Sequence, residues 1–212
     1  KIPMLPLETL IAFFTTSVLL AIIPGPDNIF VLTQSIFQGK KSGLIIMLGL
    51  CTGLIFHTLA VILGVAVIFQ TSIFAFTILK IIGAIYLLYL AWQIFKAGNQ
   101  KIDTKNNNAN IDYKKLYYRG IIMNITNPKV SIFFLAFLPQ FTNPNLGSIP
   151  LQMLLLGILF LIAALLVFSL IALYSAKLGK IINKSDKSQK ILNKLVSLVF
   201  VALAIKLIST KQ

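Results

Sequence analysis

The stretch IIPGPDNIF, residues 22–30, interrupts an apolar run that extends from Leu7 to Phe37. Proline has no amide hydrogen and its ring clashes with the carbonyl four residues back, so Pro24 and Pro26 break the helix that the flanking residues would otherwise form. Gly25 sits between them, and Asp27 places a carboxylate directly after the break. In hydrocarbon, freed backbone groups persist only where protein or a watery cavity satisfies them. The break is therefore expected to face inward, taking Asp27 and Asn28 with it.

The surrounding chain is built for lipid. Its 212 residues are 58% hydrophobic and 11% charged, with a mean hydropathy of +0.91, beyond the range of soluble domains. Apolar windows recur at close to or above the roughly 20 residues needed to cross a bilayer as helix. No ten-residue alternating pattern suggests a β-barrel. Six spans are expected: Leu7 to Phe37 with its interruption, Gly43 to Phe69, Ile73 to Phe95, Gly120 to Phe141 with a second interruption, Pro150 to Ser175, and Leu195 to Ile208. The segment after Lys1 runs into PGPD and not into a small-residue cleavage site, so it reads as a retained first span. The single cysteine, Cys51, permits neither an intrachain disulfide nor a CxxC redox pair.

The net charge of +14 would suggest nucleic acid in a soluble protein, but its placement points to a lipid bilayer and no nucleic acid. Lys40 and Lys41 follow the first span. Lys96, Lys101, Lys105, Lys114, Lys115 and Arg119 follow the third, and Lys177, Lys180, Lys184, Lys187, Lys190 and Lys194 follow the fifth. The intervening connections, 70–72 and 142–148, hold no basic residue. By the positive-inside rule the three basic loops are cytoplasmic and both termini face outward.

The polar, Asn-rich stretch from Ala97 to Lys115 divides the chain nearly in half. The expected organisation is one integral membrane domain, 1–212, made of a first three-helix repeat (1–96), a cytoplasmic linker (97–115) and a second three-helix repeat (116–212). Each half has an odd number of spans, so the second is inserted upside down. Inverted repeats of this kind are a transporter signature. The second half carries its own break, ITNPKVSIFF at 125–134, where Asn127 or Thr126 caps and Pro128 suits the first helical position. Two half-helices starting near the midplane would aim their positive ends at one place, which favours an anionic group such as a carboxylate. Lys129 follows Pro128 as Asp27 follows Pro26. The alignment predicts that the two pair in the empty state and that a zwitterionic substrate divides them; the plainer alternative is a structural ion pair locking the repeats together. His57, mid-span, is a candidate proton relay or an interhelical hydrogen-bond donor. Gly49 and Gly53 form a small-xxx-small pair that predicts close helix packing.

Three stretches, PGPDNIFVLTQSIFQGKKSG (24–43), GLCTGLIFH (49–57) and IMNITNPKVSIFF (122–134), resemble the lysine-exporter family of bacterial amino-acid exporters, in particular its homoserine/threonine-exporter branch. The resemblance covers nearly the whole chain. It implies a multi-pass protein of the bacterial inner membrane that exports neutral amino acids such as homoserine, threonine or leucine, or their analogues, driven by the proton gradient. It also implies that Pro24, Gly25, Pro26, Asn127, Pro128 and Lys129 lie near the transport path. No cofactor is expected, and the oligomeric state is left open, a homo-oligomer included. The chain carries no Ser/His/Asp grouping, HExxH or phosphate-cradling loop, so no enzyme class is supported. Two other classes stand beside the exporter: a non-transporting membrane scaffold or assembly factor, and a metal-ion exporter of related fold. For the latter, one His, one Cys and one membrane-embedded Asp are too few ligands.

Overall fold

The computed structural model describes residues 5–23, 25–65, 73–96 and 111–177, together with isolated helical positions between 194 and 209. Pro24, residues 97–110 of the linker, residues 66–72 with the connection at 70–72, the basic stretch 178–193 and half of the sixth expected span lie outside the described residues. Among the described residues the chain is helical, without strands. The helices are α1 (Leu7–Ile22), α2 (Pro26–Gln38), α3 (Lys40–Ala60), α4 (Ile73–Lys96), α5 (Tyr113–Ile125), α6 (Pro128–Ile132) and α7 (Ile149–Leu173). Lys40–Gly64 and Ile149–Leu173 are each long and apolar enough to cross a membrane. Two bent pairs, α1 with α2 at 58° and α5 with the 128–141 segment at 48°, are long and apolar enough only when each pair is taken together, as a broken span or a re-entrant loop. These occupy the places of the expected first, second, fourth and fifth spans, and α4 that of the third.

Apolar residues surround α7 on all sides, as befits a helix in contact with both lipid and core. Leu151, Leu154, Ile158, Ile162, Leu166 and Leu170 form an exposed stripe at helical spacing, while Met153, Leu156, Phe160, Ala164 and Phe168 are buried. In water such a stripe would be an aggregation surface; in a bilayer it is the lipid face. α3 lies at the centre and packs on α2, α5 and α7.

The α3–α5 crossing depends on glycine. A Cβ added at Gly120 would lie 2.6 Å from the Ile46 carbonyl oxygen and 3.1 Å from Gly49 Cα, and one added at Gly49 would collide with the Tyr117 carbonyl. Both obstacles are backbone, which cannot rotate away. The close packing expected of Gly49 and Gly53 is thus present, with Gly120 as the partner across the crossing. Overpacking of this kind costs about 1–3 kcal/mol. Gly120→Ala is expected to lower the melting temperature of the detergent-solubilised protein by several degrees; an unchanged melting curve would mean that the two helices are not held this close.

The structure departs from the sequence reading at two boundaries. α5 starts at Tyr113 and not at Gly120, because Asp112 caps it by accepting a hydrogen bond from the Lys115 amide at 3.0 Å. The second half-helix does not run on as a regular helix. After α6 the chain widens into a π-helical turn, Phe133–Phe137, and then tightens into a 3-10 turn, Leu138–Phe141. Pro139 lies in this stretch and has no amide to donate, so the regular ladder cannot pass through it.

Candidate functional site

The site forms from the leftover hydrogen-bonding groups of the two breaks. In an unbroken helix the Leu20 carbonyl would accept from the amide of residue 24, which is proline and has none. Lys129 supplies the missing donor from the other half of the chain: its Nζ donates to the carbonyls of Leu20 at 3.3 Å and Ile23 at 3.2 Å. Asn28 supplies another, its Nδ2 donating to the Ala21 carbonyl at 2.6 Å. A cation at the carbonyl end of a helix is also favoured by the helix dipole. The second break positions that cation. Asn127 caps α6, its Oδ1 accepting from the Lys129 amide at 3.0 Å, with Pro128 in the first helical turn as expected. Gly25 leaves the space the ammonium needs, since a Cβ there would lie 3.2 Å from Lys129 Nζ.

The expected Asp27–Lys129 ion pair is not formed. Both side chains are buried, but no contact within 4.0 Å joins their charged atoms and Asp27 Oδ1 has no hydrogen-bond partner. The physical reason is the cap. Asn127 and Pro128 aim Lys129 at the carbonyls at the end of α1, and those carbonyls, freed by the proline, take two of the three ammonium hydrogens. The two charges remain within electrostatic reach of each other.

Four polar atoms here are buried without a partner: Asp27 Oδ1, Asn28 Oδ1, Asn124 Oδ1 and Asn127 Nδ2. The amides of Asn124 and Asn127 lie beside the Asp27 carboxylate without closing a hydrogen bond that meets ordinary geometry. Asp27, Asn124 and Lys129 line a small cavity of about 10 Å³, whose apolar wall includes Leu54, Phe160 and Phe168. That is room for about one water molecule and not for an amino acid. An aromatic cluster backs it: the Phe160 ring lies 5.2 Å from that of Phe133 and 5.0 Å from that of Phe134. Buried polar groups are normally hydrogen-bonded, and two of these four residues, Asp27 and Asn124, present their unpartnered oxygens in the wall of this cavity.

Residues 18–211 match the family model described as LysE type translocator. The chain belongs to this family. It is 33% identical over 208 residues to the uncharacterized membrane protein YrhP of Bacillus subtilis (strain 168), covering 94% of this chain and 98% of that one. It is also 33% identical over 201 residues to a homoserine/homoserine lactone efflux protein of Salmonella typhimurium, covering 95% and 96% of the two chains. A protein of the same description from Salmonella typhi is 33% identical over the same shares. No solved structure matches the chain.

In this LysE type translocator the structure brings Asp27, Asn28, Asn127 and Lys129 together, as the two motifs suggested, and adds Asn124, which the sequence reading missed. Asn124 is 1% exposed. A Cβ at Gly53 would lie 2.7 Å from the Asn124 side chain, so a glycine on α3 makes room for it. His57, one turn further along α3, holds the Asn124 backbone: its Nε2 lies 3.1 Å from the Asn124 carbonyl oxygen. A carbonyl only accepts, so Nε2 carries the proton in this bond. His57 thus makes an interhelical hydrogen bond next to the site. The signal for Asn124 was its place three residues before the Asn127 cap, within the same broken span; nothing in the sequence linked it to Gly53 and His57.

Proposed function

We propose that this chain exports small amino acids, of the size of homoserine and threonine, and their close analogues, from the cytoplasm across the bacterial inner membrane, with the proton gradient as the driving force. The observation that carries the reading is the pair of opposite charges, Asp27 and Lys129, buried without a mutual ion pair beside a cavity lined by orphaned polar atoms. A charge inside the membrane costs at least about 2.5 kcal/mol on insertion scales and marks a substrate or ion pathway. The Salmonella relatives, homoserine/homoserine lactone efflux proteins, support the same substrate class. The substrate ammonium faces Asp27, and a proton reaching that carboxylate releases it on the far side. The two broken spans are the elements that move to widen this small cavity for the substrate, as in inverted-repeat carriers.

The test is purified protein in liposomes, with an imposed pH gradient and labelled homoserine, threonine and leucine. Gradient-dependent movement of at least one of them is expected. If none moves under any gradient, the non-transporting scaffold becomes the better reading.

The orientation belongs to the same proposal: both termini outside and the linker in the cytoplasm, from the one-sided basic loops. In a Cys51-free variant of intact cells, a cysteine at Asn145 is expected to react with an impermeant thiol reagent and one at Asn107 to be protected. Labelling of Asn107→Cys from outside would reverse the topology.

A further inference from the structure

The two closures of the cavity differ in kind. Phe160, part of its wall, begins a run of ring contacts that follows the second broken span away from the cavity. Phe160 meets Phe133 at 5.2 Å, Phe133 meets Phe137 at 5.0 Å, Phe137 meets Phe141 at 5.2 Å, and Phe141 meets Phe13 of α1 at 5.1 Å. All five rings are buried. The run ends at the 142–148 connection, the outer side in the orientation proposed above. Opening this side means separating several packed rings at once, each pair of which contributes beyond its buried area.

Toward the cytoplasm, a cation–π contact joins the two broken spans. Phe30 follows Asp27 by three residues on α2, so it lies one turn beyond that cavity residue on the same helix face. The Arg119 guanidinium on α5 covers the Phe30 ring, its central carbon 4.5 Å from the ring centroid. Arg119 precedes Asn124, which also lines the cavity, by five residues, about 7.5 Å along the helix axis. The ring is buried and the arginine is exposed. Arg119 is also the only arginine among the 19 basic residues of the chain. Where positive charge alone suffices, this chain uses lysine; a guanidinium differs in lying flat on an aromatic ring and in holding its water less tightly. At a partly exposed place such a contact is weak enough to open and close readily.

Building on the export function and orientation proposed above, we infer that the Arg119–Phe30 contact is the cytoplasmic gate of the cavity. It is the closure that yields first, admitting substrate from the cytoplasm while the aromatic run keeps the outer side shut. α2 belongs to the first broken span and α5 to the second, so parting this contact lets the two spans separate on the cytoplasmic side of Asp27.

The test is side-specific alkylation of Val130→Cys, a reporter in the cavity wall, in a Cys51-free protein. Inside-out membrane vesicles present the cytoplasmic face to an impermeant thiol reagent, and right-side-out vesicles the outer face. Arg119→Gln removes the cation and Phe30→Leu removes the ring. Each is expected to speed labelling from the cytoplasmic face by about two- to thirtyfold, the range that a cation–π contact spans. The double variant should label no faster than the faster single, because both changes remove one contact. Arg119→Lys, which keeps a cation, should fall between the parent and Arg119→Gln. None of these variants should speed labelling from the outer face, whereas Phe137→Leu should. Arg119 is exposed, so its variants test the gate even if Phe30→Leu, checked by its melting curve, fails to fold. Cytoplasmic labelling of Arg119→Gln at the parent rate, or faster labelling from the outer face, overturns the inference. Homoserine counterflow by the parent protein is measured in parallel. If it is absent while cytoplasmic labelling changes as expected, the export reading fails and the contact still closes the cavity.

Discussion

Asp27→Asn is expected to insert, fold and melt close to the parent protein while losing between about tenfold and a hundredfold of its transport rate. Asparagine matches aspartate in shape, and Asp27 Oδ1 has no protein partner to lose. Removing the buried carboxylate also relieves its desolvation cost, which offsets the attraction to Lys129 that disappears with it. On the proposed function the substrate ammonium, by contrast, loses the Asp27 counter-charge in the cavity. A hydrogen bond to a charged group contributes about 1.5–3 kcal/mol, and each 1.4 kcal/mol is a factor of ten. If Asp27 carries the coupling proton, the residual transport should also lose its dependence on an imposed pH gradient. Rate and melting temperature must be read on the same preparation. A variant that transports at the parent rate, with the parent response to the gradient, removes Asp27 from the pathway.

Lys129→Met should do the opposite to stability. Methionine fills much the same volume but donates nothing, so the Leu20 and Ile23 carbonyls lose their partner within the membrane and Asp27 keeps a buried charge without a nearby cation. Breaking a buried charge arrangement by removing one member typically costs about 3–5 kcal/mol. A melting temperature lower by many degrees, with little transport, is the expected outcome. Adding Asp27→Asn to Lys129→Met removes the stranded charge and should recover part of the stability, yet none of the transport. If the double variant transports, the two residues form a structural pair and the substrate is recognised elsewhere. A Lys129→Met protein that melts like its parent would show that the ammonium does not hold the two breaks together.

Much of this site could be read from short motifs because the physics is local. Pro26 and Pro128 can start a helix and cannot sit within one, so the breaks and their first turns followed from residue type, and Asp27, Asn28, Asn127 and Lys129 travelled with them. The packing role of Gly49 and Gly53 was legible for a similar reason, since small residues four apart leave one helix face bare. What was not legible depends on the other half of the chain. Lys129 reaches carbonyls more than a hundred residues away, and equal position in an alignment suggested a charge pair where the freed carbonyls of α1 compete better for the ammonium. Asn124 looked like an ordinary span residue, because Gly53 and His57, which admit and hold it, lie on a different helix. The turn at Phe133–Phe141 escaped because apolar aromatic sequence is compatible with α, π and 3-10 winding, and only Pro139 hinted at the change.

The central claim is that the substrate occupies the cavity between the two breaks. Ala164 is fully buried in the wall of that cavity on α7, so Ala164→Cys in a Cys51-free protein places a small reporter there. The thiol should react with a small alkylating reagent only as the cavity opens. Saturating homoserine should slow that reaction several-fold, while N-acetylhomoserine at the same concentration should not. A labelling rate that ignores every amino acid the protein transports would place the substrate elsewhere and contradict the account.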